Sequence, residues 1–279
     1  MQMVLNVRQV CMKDSLKLLV GIKKIKNTSK KDIIHLMKNN YIFISGGTSE
    51  IGQELIKKFS DKYNIIFSYN KSKINKKKIL VKNNNKNKLV GKKIDLSNIK
   101  SINNFSNYLK KNKIKIKIFV HLANIHFDRL EFMKIKEKDF VKNIYGNCVG
   151  SFALIQKVVQ CMKKKDSDKS IYLLSSQSVD YGGNKISPYA ASKGFLNTLG
   201  LSLSKELGKY NIRVNTITLG KILSKNMKKN FKRVVNNRLA DDIPLSRLGN
   251  AKEVANLIIS LNNNNPYLSG ANIKFTGGR

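Results

Sequence analysis

Tyr189 and Lys193 stand four positions apart in the stretch Tyr189-Ala190-Ala191-Ser192-Lys193, and Ser176 precedes the tyrosine by thirteen residues. On a helix, positions i and i+4 share a face, so the phenol and the ammonium can converge on one point. A fixed cation beside a phenol stabilises the phenolate, which is expected to bring the tyrosine down from its usual pKa of about 10 toward neutrality. Tyr189 is therefore a candidate general acid/base. Ser176 follows the apolar run Ile171-Tyr172-Leu173-Leu174, from whose end its hydroxyl could reach the same point. Two donors on one carbonyl oxygen polarise it for hydride attack. The same spacing arises by accident in a Lys-rich chain, so an independent signal is needed before it carries weight.

That signal lies near the start of the chain. Tyr41-Ile42-Phe43-Ile44 is a β-rich apolar run, and it feeds the turn Ser45-Gly46-Gly47-Thr48-Ser49-Glu50-Ile51-Gly52. Ile51, Leu55, Ile56 and Phe59 then recur at helical spacing. A strand, a Gly-rich turn and a helix in that order aim backbone N–H groups and a helix N-terminus at a pyrophosphate. An ordinary strand-to-helix connection would also use glycine, but Ser176, Tyr189 and Lys193 downstream argue for the dinucleotide reading.

With these residues in order, the chain from about Asn40 to its C-terminus resembles the short-chain dehydrogenase/reductases. Gly46, Gly47 and Gly52 match the family's cofactor turn, and Asp95-Leu96 matches its adenine-contacting aspartate. Asn147-Cys148-Val149-Gly150 matches its N-x-x-G, so the resemblance implies a catalytic tetrad of Asn147, Ser176, Tyr189 and Lys193. It also implies cofactor contacts from Gly46, Thr48, Ser49, Ile51, Gly52, Tyr69, Lys71, Asp95, Ala123, Tyr189, Lys193, Gly220 and Ile222. Ile243-Pro244-Leu245-Ser246-Arg247-Leu248-Gly249, Glu253-Val254-Ala255 and Thr276-Gly277-Gly278 resemble the 3-oxoacyl-[acyl-carrier-protein] reductase branch.

Four departures stand out. Glu50 replaces the middle glycine of the turn and is tolerable there only with φ below zero. His121-Leu122-Ala123-Asn124 stands where the family has N-N-A-G, so Asn124 must supply any left-handed conformation glycine gave. Leu219 takes the place of the proline before Gly220, and Thr276 that of the aspartate before the final glycine pair.

The elements that would position these groups alternate along the chain. Strands are predicted near Tyr41 to Ile44, Ile65 to Tyr69, Lys88 to Ile94, Ile116 to Leu122, Ser170 to Ser175, Arg213 to Leu219 and Ala271 to Phe275, with helical patterns between them. Strands alternating with helices give an α/β fold, a doubly wound parallel sheet of Rossmann type with ligands at the C-terminal strand ends. A chain of 279 residues with 41% hydrophobic content can bury one such core, and a single domain over residues 37–279 is expected. Residues 1–36 precede the pattern as an extension. They are basic, but the run Leu16 to Ile22 is interrupted by Lys17 and is too short for a signal-peptide core or a membrane span. A disordered or weakly helical tail is expected.

Cofactor choice turns on the end of the second strand, where an acid would bind the ribose 2′-hydroxyl of NAD and a cation the 2′-phosphate of NADP. Tyr69-Asn70-Lys71-Ser72 has no acid and has Lys71, so NADP(H) is favoured over NAD(H). The net charge of +37 comes overwhelmingly from lysines spread along the chain, with Asn-rich runs such as Asn83-Asn84-Asn85. That reads as a solvated face and not as a nucleic-acid surface. By resemblance, Lys163-Lys164-Lys165 and Lys209 could instead dock an acidic acyl carrier protein. Cys11, Cys148 and Cys161 have no metal-type spacing and their odd number argues against a disulfide framework. They fit a reducing cytoplasm. His35, His121 and His126 are too scattered for a metal site, and each is expected to pack or face solvent.

The leading expectation is an NADPH-dependent carbonyl reductase acting on a 3-oxoacyl thioester, in fatty acid biosynthesis, as a cytoplasmic homotetramer by resemblance. The alternatives are a dehydrogenase of sugars, polyols or other secondary alcohols, and a non-catalytic dinucleotide- or nucleic-acid-binding protein.

Overall fold

The alternation of apolar strands and amphipathic helices closes into one parallel sheet. A computed structural model describes residues 40–71, 87–163, 167–224 and 240–279. The extension at 1–36, Cys11, His35, Ser72, Asn83-Asn84-Asn85, Lys164 and Lys165 lie outside the described residues.

Seven strands, β1 (Asn40–Ser45), β2 (Asn64–Tyr69), β3 (Leu89–Lys93), β4 (Lys115–His121), β5 (Lys169–Ser176), β6 (Ile212–Leu219) and β9 (Asn272–Phe275), pair in the order β3-β2-β1-β4-β5-β6-β9. Every pairing is parallel. Each matches a strand expected from the sequence to within two residues at either end. Among the described residues the sequence pattern missed only a two-residue parallel pair, β7 (Ile222–Leu223) with β8 (Gly249–Asn250), which is too short to carry a periodic signal. The order reverses between β1 and β4, and such a switch point opens a crevice at the C-terminal strand ends.

Burial on both faces explains why the strands read as continuous apolar runs. Along β1, Tyr41 and Phe43 face one layer while Ile42 and Ile44 face the other, because side chains alternate across a strand. The first layer packs Phe43, Phe119, Ile171 and Val214 against helices α2 (Ile99–Lys111), α4 (Ser151–Gln160) and α6 (Ser187–Leu207). Phe43 stacks on Phe119 with centroids 5.0 Å apart and meets Phe105 of α2 at 4.8 Å. The second layer packs Ile42, Val120, Tyr172 and Ile217 against α1 (Glu50–Phe59) and α7 (Ala251–Asn264). Caps fix where helices begin: Ser49 accepts from the Gly52 N–H at α1, and Asn250 and Glu253 form a reciprocal capping box at α7. Between β4 and α4 run α3 (Glu137–Ile144) and a π-helical turn, Tyr145–Gly150; α5 (Ser178–Tyr181) follows β5.

Candidate active site

Ser176 is the last residue of β5, so the strand delivers its hydroxyl to the C-terminal edge of the sheet. Tyr189 occupies the first turn of α6, behind Pro188, and Lys193 follows one turn on. Both ends of Lys193 are tied to β5. Its Nζ donates to the Leu174 carbonyl at 2.9 Å, and its own carbonyl accepts from Ser175 Oγ at 3.1 Å. The ammonium lies 5.7 Å from the centre of the Tyr189 ring, so the expected convergence on one helical face is realised.

The expected direction of the tyrosine pKa is not. Burial pushes the Tyr189 phenol above its ordinary value, and its hydrogen bond with Ser176 offsets this only in part. Burial also draws Lys193 down, to about 8. The i,i+4 argument counted the cation and left out desolvation, which disfavours the charged form of both groups.

Asn147 sits in the π-helical turn, a distortion that recurs at functional sites. Its Oδ1 accepts from the Ile125 N–H at 2.6 Å and its Nδ2 donates to the Ile125 carbonyl at 3.0 Å. The side-chain amide therefore fixes the chain just after Ala123 and Asn124.

The glycine turn meets the requirements of a dinucleotide bed. Gly46 has φ of +71°, and a Cβ there would lie 3.0 Å from the backbone of Ala123. A Cβ on Gly52 would lie 2.6 Å from Gly47 Cα, so only glycine lets the α1 N-terminus close on the turn. Thr48, Ser49 and Ile51 stand around that N-terminus, where backbone N–H groups suit a pyrophosphate. Glu50 opens α1 and is not among the residues with positive φ, which meets the condition for its replacing glycine. Asn124 is not among them either, so the left-handed conformation expected of it is not used; its Nδ2 donates to the Ile125 carbonyl at 3.0 Å.

Tyr69 ends β2, and Asn70 and exposed Lys71 follow it close to Asp95. The Asp95 carboxylate is held below its usual range chiefly by the Ser97 side chain, at 2.6 Å, with contributions from Asn70 and from the charge of Lys71. Across the crevice, Gly220 packs on Thr276: a Cβ would lie 2.8 Å from Thr276 Cα, so the threonine at this departure holds the loop closely. Gly220 and Ile222 line a cavity of about 430 Å³ with Leu245, Phe275 and Thr276, and none of the tetrad residues lines it.

A model of the family described as "Enoyl-(Acyl carrier protein) reductase" matches residues 47–279. The chain belongs to the short-chain dehydrogenase/reductase family. As a member of that family it is an NAD(P)-dependent oxidoreductase. It is 28% identical to the human 3-oxoacyl-[acyl-carrier-protein] reductase over 66% of this chain and 75% of that protein. It is 29% identical to the human (3R)-3-hydroxyacyl-CoA dehydrogenase over 58% of this chain, and the match spans 61% of that relative's length. L-rhamnose-1-dehydrogenase of Scheffersomyces stipitis is 31% identical over 59% of this chain and 64% of that protein. The fold superposes on levodione reductase with a TM-score of 0.77 at 19% identity, covering 87% of this chain and 98% of that one.

The short-chain dehydrogenase/reductase carries one buried group that sequence reading left unassigned. His121 is 1% exposed at the end of β4, with Nδ1 2.8 Å from Ser45 Oγ and Nε2 3.0 Å from Ser151 Oγ. The lone signal was its substitution for the family's asparagine. Lys163 and Lys209 each place an ammonium near the Tyr210 ring, at 5.6 and 5.3 Å from its centre. Lys209 follows the end of α6 that lies away from Tyr189, roughly 30 Å along the helix at 1.5 Å per residue. Among the described residues no cluster of His, Cys, Asp and Glu could hold a metal, and no helix is long and apolar enough to cross a membrane. Cys148 and Cys161 are free.

Proposed function

We propose that this enzyme is an NADPH-dependent carbonyl reductase whose substrate is a 3-oxoacyl thioester. The observation that carries the chemistry is the Ser176–Tyr189 pair, hydrogen-bonded at a strand end with Lys193 one helical turn behind. When bound, the dinucleotide supplies the hydride. Tyr189 donates a proton to the carbonyl oxygen, Ser176 orients and polarises that oxygen, and Lys193 holds the nicotinamide ribose and keeps the phenol's proton in exchange. Asn147 supports the proton relay toward solvent. Gly46, Thr48, Ser49, Ile51, Gly52, Tyr69, Asp95, Ala123, Gly220 and Ile222 form the dinucleotide bed, and Lys71 takes the 2′-phosphate.

The thioester is favoured by the 3-oxoacyl reductase and hydroxyacyl-CoA dehydrogenase among the relatives, and with it a place in fatty acid biosynthesis. An assembly of four copies is supported by one apolar stripe: Val141, Tyr145, Val149 and Phe152 recur every three to four residues from α3 to α4, each 39–53% exposed. The rhamnose dehydrogenase supports a second reading, oxidation of a sugar or other secondary alcohol by the same four residues. A purely dinucleotide- or nucleic-acid-binding role would leave the intact Ser176, Asn147, Tyr189 and Lys193 without a purpose.

The deciding experiment follows NADPH and NADH oxidation with acetoacetyl thioesters, then with a panel of ketones, and the reverse reaction with sugars. Turnover of the thioester with NADPH supports the proposal. Turnover of free alcohols alone replaces it with the second reading.

A further inference from the structure

His121 is the one buried imidazole among the described residues, and the chemistry assigned above does not use it. Its hydrogen bonds have a direction that can be worked out. Ser45 Oγ accepts from the backbone N–H of Ala123 at 3.2 Å and from that of Leu122 at 3.2 Å, the latter shared with the Ser45 carbonyl. A hydroxyl has two lone pairs and one hydrogen, so with both lone pairs taken its hydrogen goes to His121 Nδ1 at 2.8 Å. The imidazole proton then sits on Nε2 and is donated to Ser151 Oγ at 3.0 Å. Full burial keeps the ring neutral, with its pKa drawn down to about 3, which fits a ring that accepts at one nitrogen and donates at the other.

The two ends of this chain of bonds belong to the two halves of the site. Ser45 immediately precedes Gly46, where a Cβ would lie only 3.0 Å from the Ala123 backbone, and Ala123 belongs to the dinucleotide bed. Ser151 opens α4 directly after the π-helical turn that holds Asn147. Asn147 in turn grips Ile125 on the strand extension that leaves His121. A closed path thus runs from Ser45 through His121 to Ser151, through the π-turn to Asn147, and back along residues 125 to 121.

We propose that His121 is a positioning residue that locks the dinucleotide turn and the Asn147 turn into one unit. An aromatic ring with nitrogens at opposite edges spans the gap, whereas an asparagine side chain can serve Ser45 but is too short to reach Ser151 as well. This inference rests on the family's dinucleotide site and is independent of the substrate proposed above.

The test needs no substrate. It measures the dissociation constant of NADPH or NADH, whichever binds tighter, by nucleotide fluorescence, and the exchange rates of the Ile125 and Phe43 amides by NMR in the full-length chain. In His121→Leu both arms are lost, so the nucleotide constant rises about 10-fold and Ile125 exchange accelerates about 10-fold. His121→Asn keeps the Ser45 arm: nucleotide affinity stays within about twofold of the native value while Ile125 exchanges faster. Ser151→Ala reproduces the His121→Asn pattern, and the double variant His121→Asn/Ser151→Ala adds nothing further. Phe43, in the sheet core, keeps its protection in all of these. Unchanged Ile125 exchange in Ser151→Ala, additive effects in the double variant, or equal acceleration at Phe43 and Ile125 would each overturn the proposal; the last is what a merely structural histidine gives. If His121→Leu fails to fold, the Asn and Ser151 variants still decide.

Discussion

The Lys193 ammonium donates to the carbonyl of Leu174 at 2.9 Å, a contact that ties the start of α6, one turn beyond Tyr189, to the end of β5. The lysine is thus both a structural clamp and a charge beside Tyr189. Removing the phenol's hydroxyl leaves the clamp intact. Tyr189→Phe is therefore expected to lower kcat by roughly 10²–10⁴, the scale of a lost general acid, while the nucleotide dissociation constant changes by less than about twofold. Steady-state kinetics paired with fluorescence titration checks this, and retained turnover sinks the assignment. Lys193→Met, by contrast, is expected to lower both kcat and stability.

The histidine that stands in for asparagine makes the fold sensitive to acid. In the unfolded chain His121 titrates near 6.5, and in the fold only near 3, because a charged imidazole there has no water and faces the Lys193 cation besides Ser45, Ser151 and the Phe119 ring. Between those values the unfolded chain binds the proton that the native one refuses, so stability falls as pH drops from about 6.5 toward 3. Lys193 acts in the same sense at higher pH: with its pKa lowered to about 8, stability rises as pH climbs from 8 toward 10.5. The urea midpoint of the native chain is expected to fall steeply between pH 6.5 and 4.5, and less steeply in His121→Asn. Equal slopes in the two proteins would show that His121 does not titrate in this range.

Glu50 brings a carboxylate to the first position of α1, where the turn would receive a pyrophosphate. An acid at a helix N-terminus stabilises the helix by about 0.3–1 kcal/mol, but it opposes a second anion at the same end. Glu50→Gln is expected to tighten NADPH and NADH binding alike by a few-fold, with the gain shrinking in high salt, and to lower the melting temperature slightly. Isothermal titration at two ionic strengths measures it. No change in affinity would mean that the carboxylate is turned away from the bound phosphates.

Much of this architecture was legible in the residues. Apolar runs such as Tyr41 to Ile44 and Ile171 to Leu174 mark strands because both faces of a parallel sheet are buried. The placement of Ser176 at a strand end and of Tyr189 and Lys193 one helical turn apart was legible because helical spacing and strand ends are local properties. What could not be read depends on the third dimension. The direction of the Tyr189 pKa is set by how deeply α6 buries it, which no spacing reveals. Lys163 and Lys209 are basic in sequence wherever they lie, and only the fold brings both to one residue, Tyr210, after α6. His121 acquires partners 76 and 30 residues away, so beyond its replacing the family's asparagine its role had no local signature.

Lys71 offers the last test, on cofactor choice. It is exposed at the end of β2, with no acid in Tyr69-Asn70-Lys71 to meet a ribose 2′-hydroxyl, and its charge already acts on Asp95 nearby. A 2′-phosphate brought there would gain a charge-assisted contact, and Asp95, shared by Ser97, Asn70 and Lys71, would limit that gain. Hydrogen bonds to charged groups contribute about 1.5–3 kcal/mol, which corresponds to roughly a 10- to 100-fold change in binding. Lys71→Ala is accordingly expected to raise the NADPH dissociation constant by at least about 10-fold while leaving NADH binding within about twofold. Lys71→Asp goes further, reversing the preference, because the carboxylate can accept from the ribose hydroxyl of NADH and repels the phosphate of NADPH. If Lys71→Ala weakens the two nucleotides equally, the lysine contributes only general attraction, and any preference for NADPH must be sought in a residue other than the one two positions beyond this strand.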